Sequence, residues 1–288
     1  PGVPFDDVVE VSNYVAALQH ALSRLEEGFP LSNRLIRETH ALLLSHGRGA
    51  EKRPGEFRTS QNWIRGTRPG NARFVPAPPD HLEDGMAALE RFIHDESLGL
   101  PVLVKAALAH AQFETLHPFL DGNGRLGRLL IALILASEGI LRQPLLYLSL
   151  YFKQHRDEYY RLLDQIRSEG DWEAWLDFFF EGVRSTAQGA VDTAHRLLAL
   201  FAEDAARLGS VGRGAPTTRR VFEELQHSPV TSIPVLRDRT GLSYSTVARS
   251  IEALERLGVI REVTGHKRNR VYVYERYLEV LSEGGEPL

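Results

Sequence analysis

His117-Pro118-Phe119-Leu120-Asp121-Gly122-Asn123-Gly124-Arg125-Leu126-Gly127-Arg128 is a polar turn set between two apolar runs, and its reading decides the fold. The run gathers an imidazole, a carboxylate, an amide, three glycines and two guanidinium groups, which is the composition of an active site. After Gly124, the residues Leu126, Leu129, Leu130, Leu133 and Ile134 recur at helical spacing, which predicts a helix with one buried face. Arg125 and Arg128 are three apart and share a face near the turn. Gly122 and Gly124 strip side chains from the entry to that helix, leaving backbone N–H groups and the positive end of the dipole open to an anion. The two arginines can add charge-assisted hydrogen bonds to the same anion, so a nucleotide phosphate fits. A hydroxyl attacking phosphorus must lose its proton near neutral pH, and His117 has the chemistry for that. Asp121 is a hard oxygen ligand of the kind Mg²⁺ uses together with substrate phosphates. The sequence holds no Gly-x-x-x-x-Gly-Lys-Ser/Thr run and no kinase glycine loop, so this helix is the phosphate site it offers.

The same run matches, without a gap, the signature of Fic-domain enzymes, His-Pro-Phe-x-Asp/Glu-Gly-Asn-Gly/Lys-Arg-x-x-Arg. Residues 111–116 and 147–152 resemble that family too. The resemblance implies a mainly α fold: a Fic-type helical domain with a small β-hairpin flap. It implies transfer of AMP from ATP, with Mg²⁺, to a Ser, Thr or Tyr hydroxyl of a target protein or of the chain itself. His117 would be the general base and Asp121 the Mg²⁺ ligand. The phosphate site would comprise Gly122, Asn123, Gly124, Arg125, Leu126, Gly127 and Arg128, with Asn123 and the glycine amides as cradle and the arginines on the outer phosphates. Some relatives transfer phosphate or phosphocholine, but they depart from the Gly-Asn-Gly-Arg-x-x-Arg end, which is intact here, so AMP transfer is favoured.

Composition bounds the alternatives. The 288 residues suffice for two domains with a proper core, and 43% hydrophobic content with a net charge of −4 describes an ordinary globular protein. The absence of cysteine excludes a disulfide framework and a thiolate metal site. No run is long enough to cross a membrane and no N-terminal segment reads as a secretory signal, so a cytoplasmic protein is expected.

In chain order, a helix is expected from about Asp7 to Glu27, burying Val8, Val11, Val15, Leu18, Leu22 and Leu25 and stopping at Gly28 and Pro30. The family's inhibitory helix carries Ser/Thr-x-x-x-Glu-Gly/Asn and sets its Glu against the second motif arginine. Residues 23–28 fit that pattern and make Glu27 a candidate, although a Glu before a helix-ending Gly is most simply solvated. In relatives that continue as Glu-Val-x-Asn-Tyr, as Glu10 to Tyr14 do here, the inhibitory segment lies just before that point. The expectation is therefore an inhibitory Glu upstream of Pro1. A second helix is expected over 31–47. Between Thr59 and Val75, Gly66, Pro69 and Gly70 separate two β-capable pieces, 62–64 and 73–75, which predicts a hairpin. This hairpin resembles the Fic flap, where a target segment adds as a strand, and Trp63 and Ile64 would dock it. Helices follow at about 80–95 and 101–116, with His110 read as packed. The segment 156–160 resembles the lining of the family's adenine pocket, where Tyr159 or Tyr160 would stack on the base.

A helix at about 186–208 is followed by the Gly- and Ser-rich residues 209–216, read as a linker that closes a first domain of 1–208. Helices near 217–227, 232–240 and 243–257, then a basic-tipped hairpin, resemble a winged helix-turn-helix over 217–280, with 281–288 as a tail. Tyr244, Ser245, Thr246 and Arg249, with Lys267, Arg268 and Arg270 on the wing, would face DNA. From Arg237 to Arg276 there are nine Lys or Arg against five Asp or Glu, a weak excess. DNA binding and a protein contact, a homodimer included, stay open. The alternative function is a DNA-binding regulator whose Fic domain senses nucleotide.

Overall fold

A computed structural model describes residues 5–141, 148–266 and 268–282. The chain forms two compact units, residues 1–187 and 188–288.

The first unit contains α1 (Phe5–Glu26), α2 (Asn33–Leu43), α3 (Leu82–His94), α4 (Val102–Leu116), α5 (Asn123–Ser137), α6 (Leu148–Gln154), α7 (Arg156–Glu169) and the first half of α8 (Trp172–Arg207). Its centre is the α4–α5 pair. Ala106, Ala107, Ala109, Ala111 and Phe113 of α4 are buried, as are Leu126, Leu129, Leu130, Ile131, Leu133 and Ile134 of α5. Small residues on one helix and branched ones on the other interdigitate, and each buried leucine or isoleucine contributes about 1.5–3 kcal/mol. Trp175 closes the core from α8, and its indole Nε1–H donates to the Ala107 carbonyl at 3.0 Å.

Pro118 sets the point where α4 ends. A residue before proline is disfavoured in the α-helical region, and His117 takes the left-handed conformation that stops the helix. α5 starts at Asn123, directly after Gly122, so the polar turn lies between the two core helices at the end where α4 stops and α5 begins.

Three expectations shift in this unit. α1 forms, but Val8, Val11 and Val15 are exposed, and its buried contacts come from Asn13, Ala17 and Ala21 with Leu18, Leu22 and Leu25 packed beside them. The apolar stripe is real, but only its C-terminal half meets the core. The second helix is shorter than 31–47, running from the Ser32 cap to Leu43. The flap closes by a single antiparallel bridge, Ile64 with Phe74, around a 3-10 turn at Pro69–Asn71, rather than by two strands.

The second unit joins the C-terminal half of α8 to α9 (Ala215–His227), β1 (Val230–Thr231), α10 (Ile233–Thr240), α11 (Tyr244–Arg256), β2 (Arg261–Glu262), β3 (Tyr272–Val273) and α12 (Glu275–Ser282). The strands form an antiparallel sheet in the order β1-β3-β2, with Val230 and Arg261 both paired to Val273. Ser243 caps α11 by accepting from the Thr246 N–H at 3.3 Å, and Val247, Ile251 and Leu254 are buried as expected. Leu200 and Phe201 of α8 belong to this core. Asp204 of the same helix is fully buried and accepts from the Tyr274 hydroxyl at 2.6 Å, with Arg207 at 2.8 Å and Arg276 at 3.1 Å. The boundary between units thus falls inside one continuous helix and not at residue 208. Residues 209–216 form no extended linker. Leu208 to Gly214 coil into a 3-10 turn with a kink at Gly212, and Leu208 is buried.

Candidate active site

His117 is the pivot of the polar turn. Its φ of 49° and ψ of 58° place it in the left-handed region, a conformation that costs a non-glycine residue about 1–2 kcal/mol and persists where its surroundings impose it. Arg58 imposes it here. This guanidinium is 2% exposed; it donates to the carbonyls of His117 at 2.9 Å, Leu116 at 3.2 Å and Ser60 at 3.2 Å, and also to Ala77. The cation thus caps the negative end of α4 while fixing the flap's base.

The next residues are held just as closely. Asn123 is buried, with its Oδ1 accepting from the Phe119 N–H at 2.9 Å and its Nδ2 donating to the Phe119 carbonyl at 2.8 Å. His40 of α2 stacks on Phe119 at 3.7 Å. The Gly55 N–H donates to His40 Nδ1 at 2.8 Å, so Nε2 carries the proton and donates to the Asp121 carbonyl at 2.9 Å. Burial holds the His40 pKa down to about 4, which keeps the ring neutral in this double role. Gly122 sits at φ +79°, where a side chain is strained, and is closely packed: a Cβ would stand 3.2 Å from His40 Nε2.

The clamped loop presents the amino end of α5. Gly122 N–H donates to Asp121 Oδ1 at 2.6 Å, and Leu126 N–H to the Gly122 carbonyl at 3.0 Å. Between them, the N–H groups of Asn123, Gly124 and Arg125 have no acceptor among the described residues. Arg128 also makes no hydrogen bond or ion pair among the described residues, and its Nη1 lies 3.2 Å from where a Gly124 Cβ would stand. Three consecutive donors beside the Arg128 guanidinium at a helix N-terminus have the chemistry to hold an anion.

His117 stands beside it with 18% of its side chain exposed. Burial, reinforced by Arg58 and Arg167, holds its pKa down to about 4, so the imidazole is neutral and able to accept a proton. The Asp121 carboxylate is 36% exposed, and Gly49 packs close to it: a Cβ there would lie 3.1 Å from Oδ2. No cluster of three or more metal-ligating side chains occurs among the described residues. A divalent cation here would be held by one carboxylate and by phosphate oxygens, which suits Mg²⁺.

The expected residues divide. His117, Asp121, Gly124 and Arg128 converge, with the main-chain N–H groups of Asn123 and Arg125. The Asn123 side chain is occupied by Phe119, and the Gly122 N–H by Asp121. Leu126 is core, and Gly127 is a spacer whose missing Cβ makes room for Glu114, Phe113 and His110. Arg125 does not accompany Arg128: its Nη1 meets Glu10 Oε2 of α1 at 3.2 Å, and Asp121 Oδ1 lies 3.8 Å from its Nη2. Tyr159 is buried and donates its hydroxyl to His110 Nε2 at 2.9 Å, His110 Nδ1–H being given to the Gly127 carbonyl at 2.9 Å. Tyr160 is the half-buried member of the pair, with the guanidinium groups of Arg65, Arg73 and Arg156 over its ring. Trp63 is exposed on the flap and Ile64 forms its bridge. Glu27 is exposed, 3.4 Å from Ser23 Oγ and 3.6 Å from Arg24. Four contributors were missed by sequence reasoning: Arg58, His40, Glu10 and Glu114. Arg58 ends the run Arg53-Pro54-Gly55-Glu56-Phe57-Arg58, but nothing in the run itself says that the arginine turns inward.

The Fic/DOC family profile matches residues 30–135, the span that holds the clamp and the anion site. The chain carries a Fic/DOC domain. A winged helix-turn-helix DNA-binding profile matches residues 215–261. The Fic part is 31% identical over 186 residues to Protein adenylyltransferase Fic of Drosophila yakuba and 30% identical to that of Drosophila melanogaster. The match covers 64% of this chain, and the chain spans about a third of those relatives' length, 34% and 35%. Among solved structures, a Fic family protein from Desulfovibrio desulfuricans aligns over 95% of this chain and 76% of its own, at 23% identity and a TM-score of 0.57. Fic-1 of C. elegans aligns over 68% and 54%, at 25% identity and a TM-score of 0.55. In the second unit, Tyr244, Ser245, Arg249, Arg268 and Arg270 are exposed and Thr246 is half-buried; Lys267 lies outside the described residues. No helix among the described residues is long and apolar enough to cross a membrane.

Proposed function

We propose that this protein transfers AMP from ATP to a hydroxyl of a protein substrate. The observation that carries the reading is a neutral, half-buried His117 held at the end of α4 against the unsatisfied N-terminus of α5, with Arg128 beside it. His117 Nε2 takes the hydroxyl proton, the oxygen bonds to the α-phosphorus, and the bond from that phosphorus to the leaving diphosphate breaks. The N–H groups of Asn123, Gly124 and Arg125, with Arg128, bind the phosphate oxygens and stabilise the charge that develops on them, which is where most of the catalysis of such transfers lies. Asp121 would hold Mg²⁺, which when bound neutralises phosphate charge. The bound phosphates also raise the pKa of His117 from its depressed value, improving it as a base. Trp63 and Ile64 would receive the target segment along the flap, and Tyr160 the adenine. Glu27 would not act as an inhibitor, because its neighbours are Ser23 and Arg24.

Incubation with ATP labelled at the α-phosphate, Mg²⁺ and a lysate should label a protein or the enzyme itself. ATP labelled at the γ-phosphate should leave no label, and His117→Ala should abolish the α-label. Label from γ-ATP would make the enzyme a kinase. The second reading, a DNA-binding regulator whose Fic domain senses nucleotide, rests on the exposed Arg249, Arg268 and Arg270. It would be favoured if ATP altered DNA binding while no label was transferred.

A further inference from the structure

Beneath His117 lies a second acid that the transfer chemistry above does not use. Glu114, one turn earlier on α4, is 6% exposed, and its Oε2 lies 3.9 Å from His117 Nδ1. Its Oε1 and the His117 Nδ1 are both buried with no partner at hydrogen-bond geometry, and the Glu114 main-chain carbonyl also bears on the imidazole and raises its pKa. A buried carboxylate left unpaired is among the costliest groups a core can hold, and a leucine or methionine would fill the same space more stably. The surroundings nevertheless make room for it, since a Cβ on Gly127 would stand 2.5 Å from Oε1.

We propose that Glu114 is the positioning residue of the catalytic base: its carboxylate accepts the Nδ1 proton of His117, fixing Nε2 as the atom that takes the substrate proton. The present separation exceeds a hydrogen bond by about 1 Å, a gap of the kind that closes when an active site engages its substrate. Once Nε2 is protonated, the carboxylate faces the imidazolium and stabilises its charge, as an orienting acid does in other base pairs built on histidine. The charged and titratable groups around the pair come from every side. Arg58 from the flap base, Arg167 from α7 and Asp121 from the motif turn act on His117, while Arg128 from α5 and Arg167 act on Glu114. Tyr159 also feels the Glu114 charge, and His110 shares with it the space at Gly127. Arg167 is itself fixed on this turn, donating to Thr115 Oγ1 at 3.1 Å and to the Glu114 carbonyl at 3.4 Å. Burial pushes the Glu114 carboxyl above the ordinary carboxylate range, and Arg128 and Arg167 oppose that rise.

The inference rests on the AMP-transfer reading for its kinetics but not for its spectroscopy. In wild-type protein labelled with ¹⁵N-histidine and saturated with Mg²⁺ and a non-hydrolysable ATP analogue, His117 should be the Nδ1–H tautomer, with that proton far downfield, as for one shared with a carboxylate. In Glu114→Gln the downfield shift should disappear. The kcat for AMP transfer should fall about tenfold or more while KM for ATP holds within about twofold, since only the transition-state interaction is removed. The acid limb of kcat should move down by about one pH unit, because the imidazolium loses its counter-charge. A wild-type Nε2–H tautomer, an ordinary Nδ1 proton, or a variant with unchanged kcat and acid limb overturns the proposal. If Glu114→Gln does not fold, the wild-type proton decides. If the wild-type spectrum is as expected but no AMP is transferred, the reaction assignment fails and the His–Glu pair stands.

Discussion

Removal of the Arg58 guanidinium should loosen the whole polar turn. The side chain is 2% exposed and gives its donors to four carbonyls, two of them at the C-terminus of α4. Arg58→Met keeps much of the aliphatic stem and leaves those carbonyls without their cation. Hydrogen bonds from charged donors contribute about 1.5–3 kcal/mol each, but the carbonyls nearest the surface regain water, so the sum overstates the loss. Counting only the two bonds to the carbonyls at the end of α4 gives about 4 kcal/mol for this site. For a unit of this size that corresponds to a fall in Tm of roughly 8–16 °C. The assay is specific to the first unit, because Trp63, Trp172 and Trp175 are the chain's only tryptophans and all lie within residues 1–187. Thermal unfolding followed by tryptophan fluorescence therefore reads this unit alone. Arg58→Lys, which reaches fewer carbonyls, should fall between, and Arg161→Met at an exposed pair with Glu158 should leave the midpoint in place. An Arg58→Met midpoint within about 2 °C of wild type would refute the claim that this cation holds His117 in its left-handed conformation.

Other outcomes follow from the same geometry. His40 titrates at about 4 when folded against about 6.5 when unfolded, so the unfolded chain binds the extra proton between those values and stability falls as pH drops through that window. The loss approaches about 3 kcal/mol from this ring alone; urea titrations followed by tryptophan fluorescence at about pH 7 and pH 4.5 should show it, and His40→Gln should have a shallower pH dependence. Glu27→Gly should leave AMP transfer within about twofold of wild type, since the exposed pair it breaks is weak, whereas a tenfold rise in the transfer assay would make Glu27 a regulator. Replacing Arg249, Arg268 and Arg270 by alanine should weaken DNA binding and flatten its salt dependence by about 0.9 for each phosphate left without its cation, measured by titration of a duplex at several salt concentrations; unchanged binding would assign the winged helix to protein recognition.

The motif turn was legible because its chemistry is local. A His-Pro pair ends one helix, glycines open the next, and the periodicity of Leu126 to Ile134 buries it, all within one short run. What the sequence concealed is non-local. Arg58 and His40 reach the turn from 59 and 81 positions away, and a buried arginine or histidine reads the same as a solvated one. Arg125 and Arg128 share a face by spacing, but Glu10 draws the first toward α1 while the second stays beside Gly124. The Val8-Val11-Val15 stripe carried helical periodicity without carrying burial, because periodicity does not say where a partner helix ends. The Gly- and Ser-rich stretch after Arg207 suggested a linker, but it coils as a 3-10 turn that begins at a fully buried residue, Leu208.

The most direct test of the account is a crystal structure with Mg²⁺ and a non-hydrolysable ATP analogue. The phosphates should lie on the N–H groups of Asn123, Gly124 and Arg125 with Arg128 alongside, Asp121 on the metal, and His117 Nε2 facing the α-phosphorus. An empty helix terminus, or an imidazole turned into the core, would contradict it.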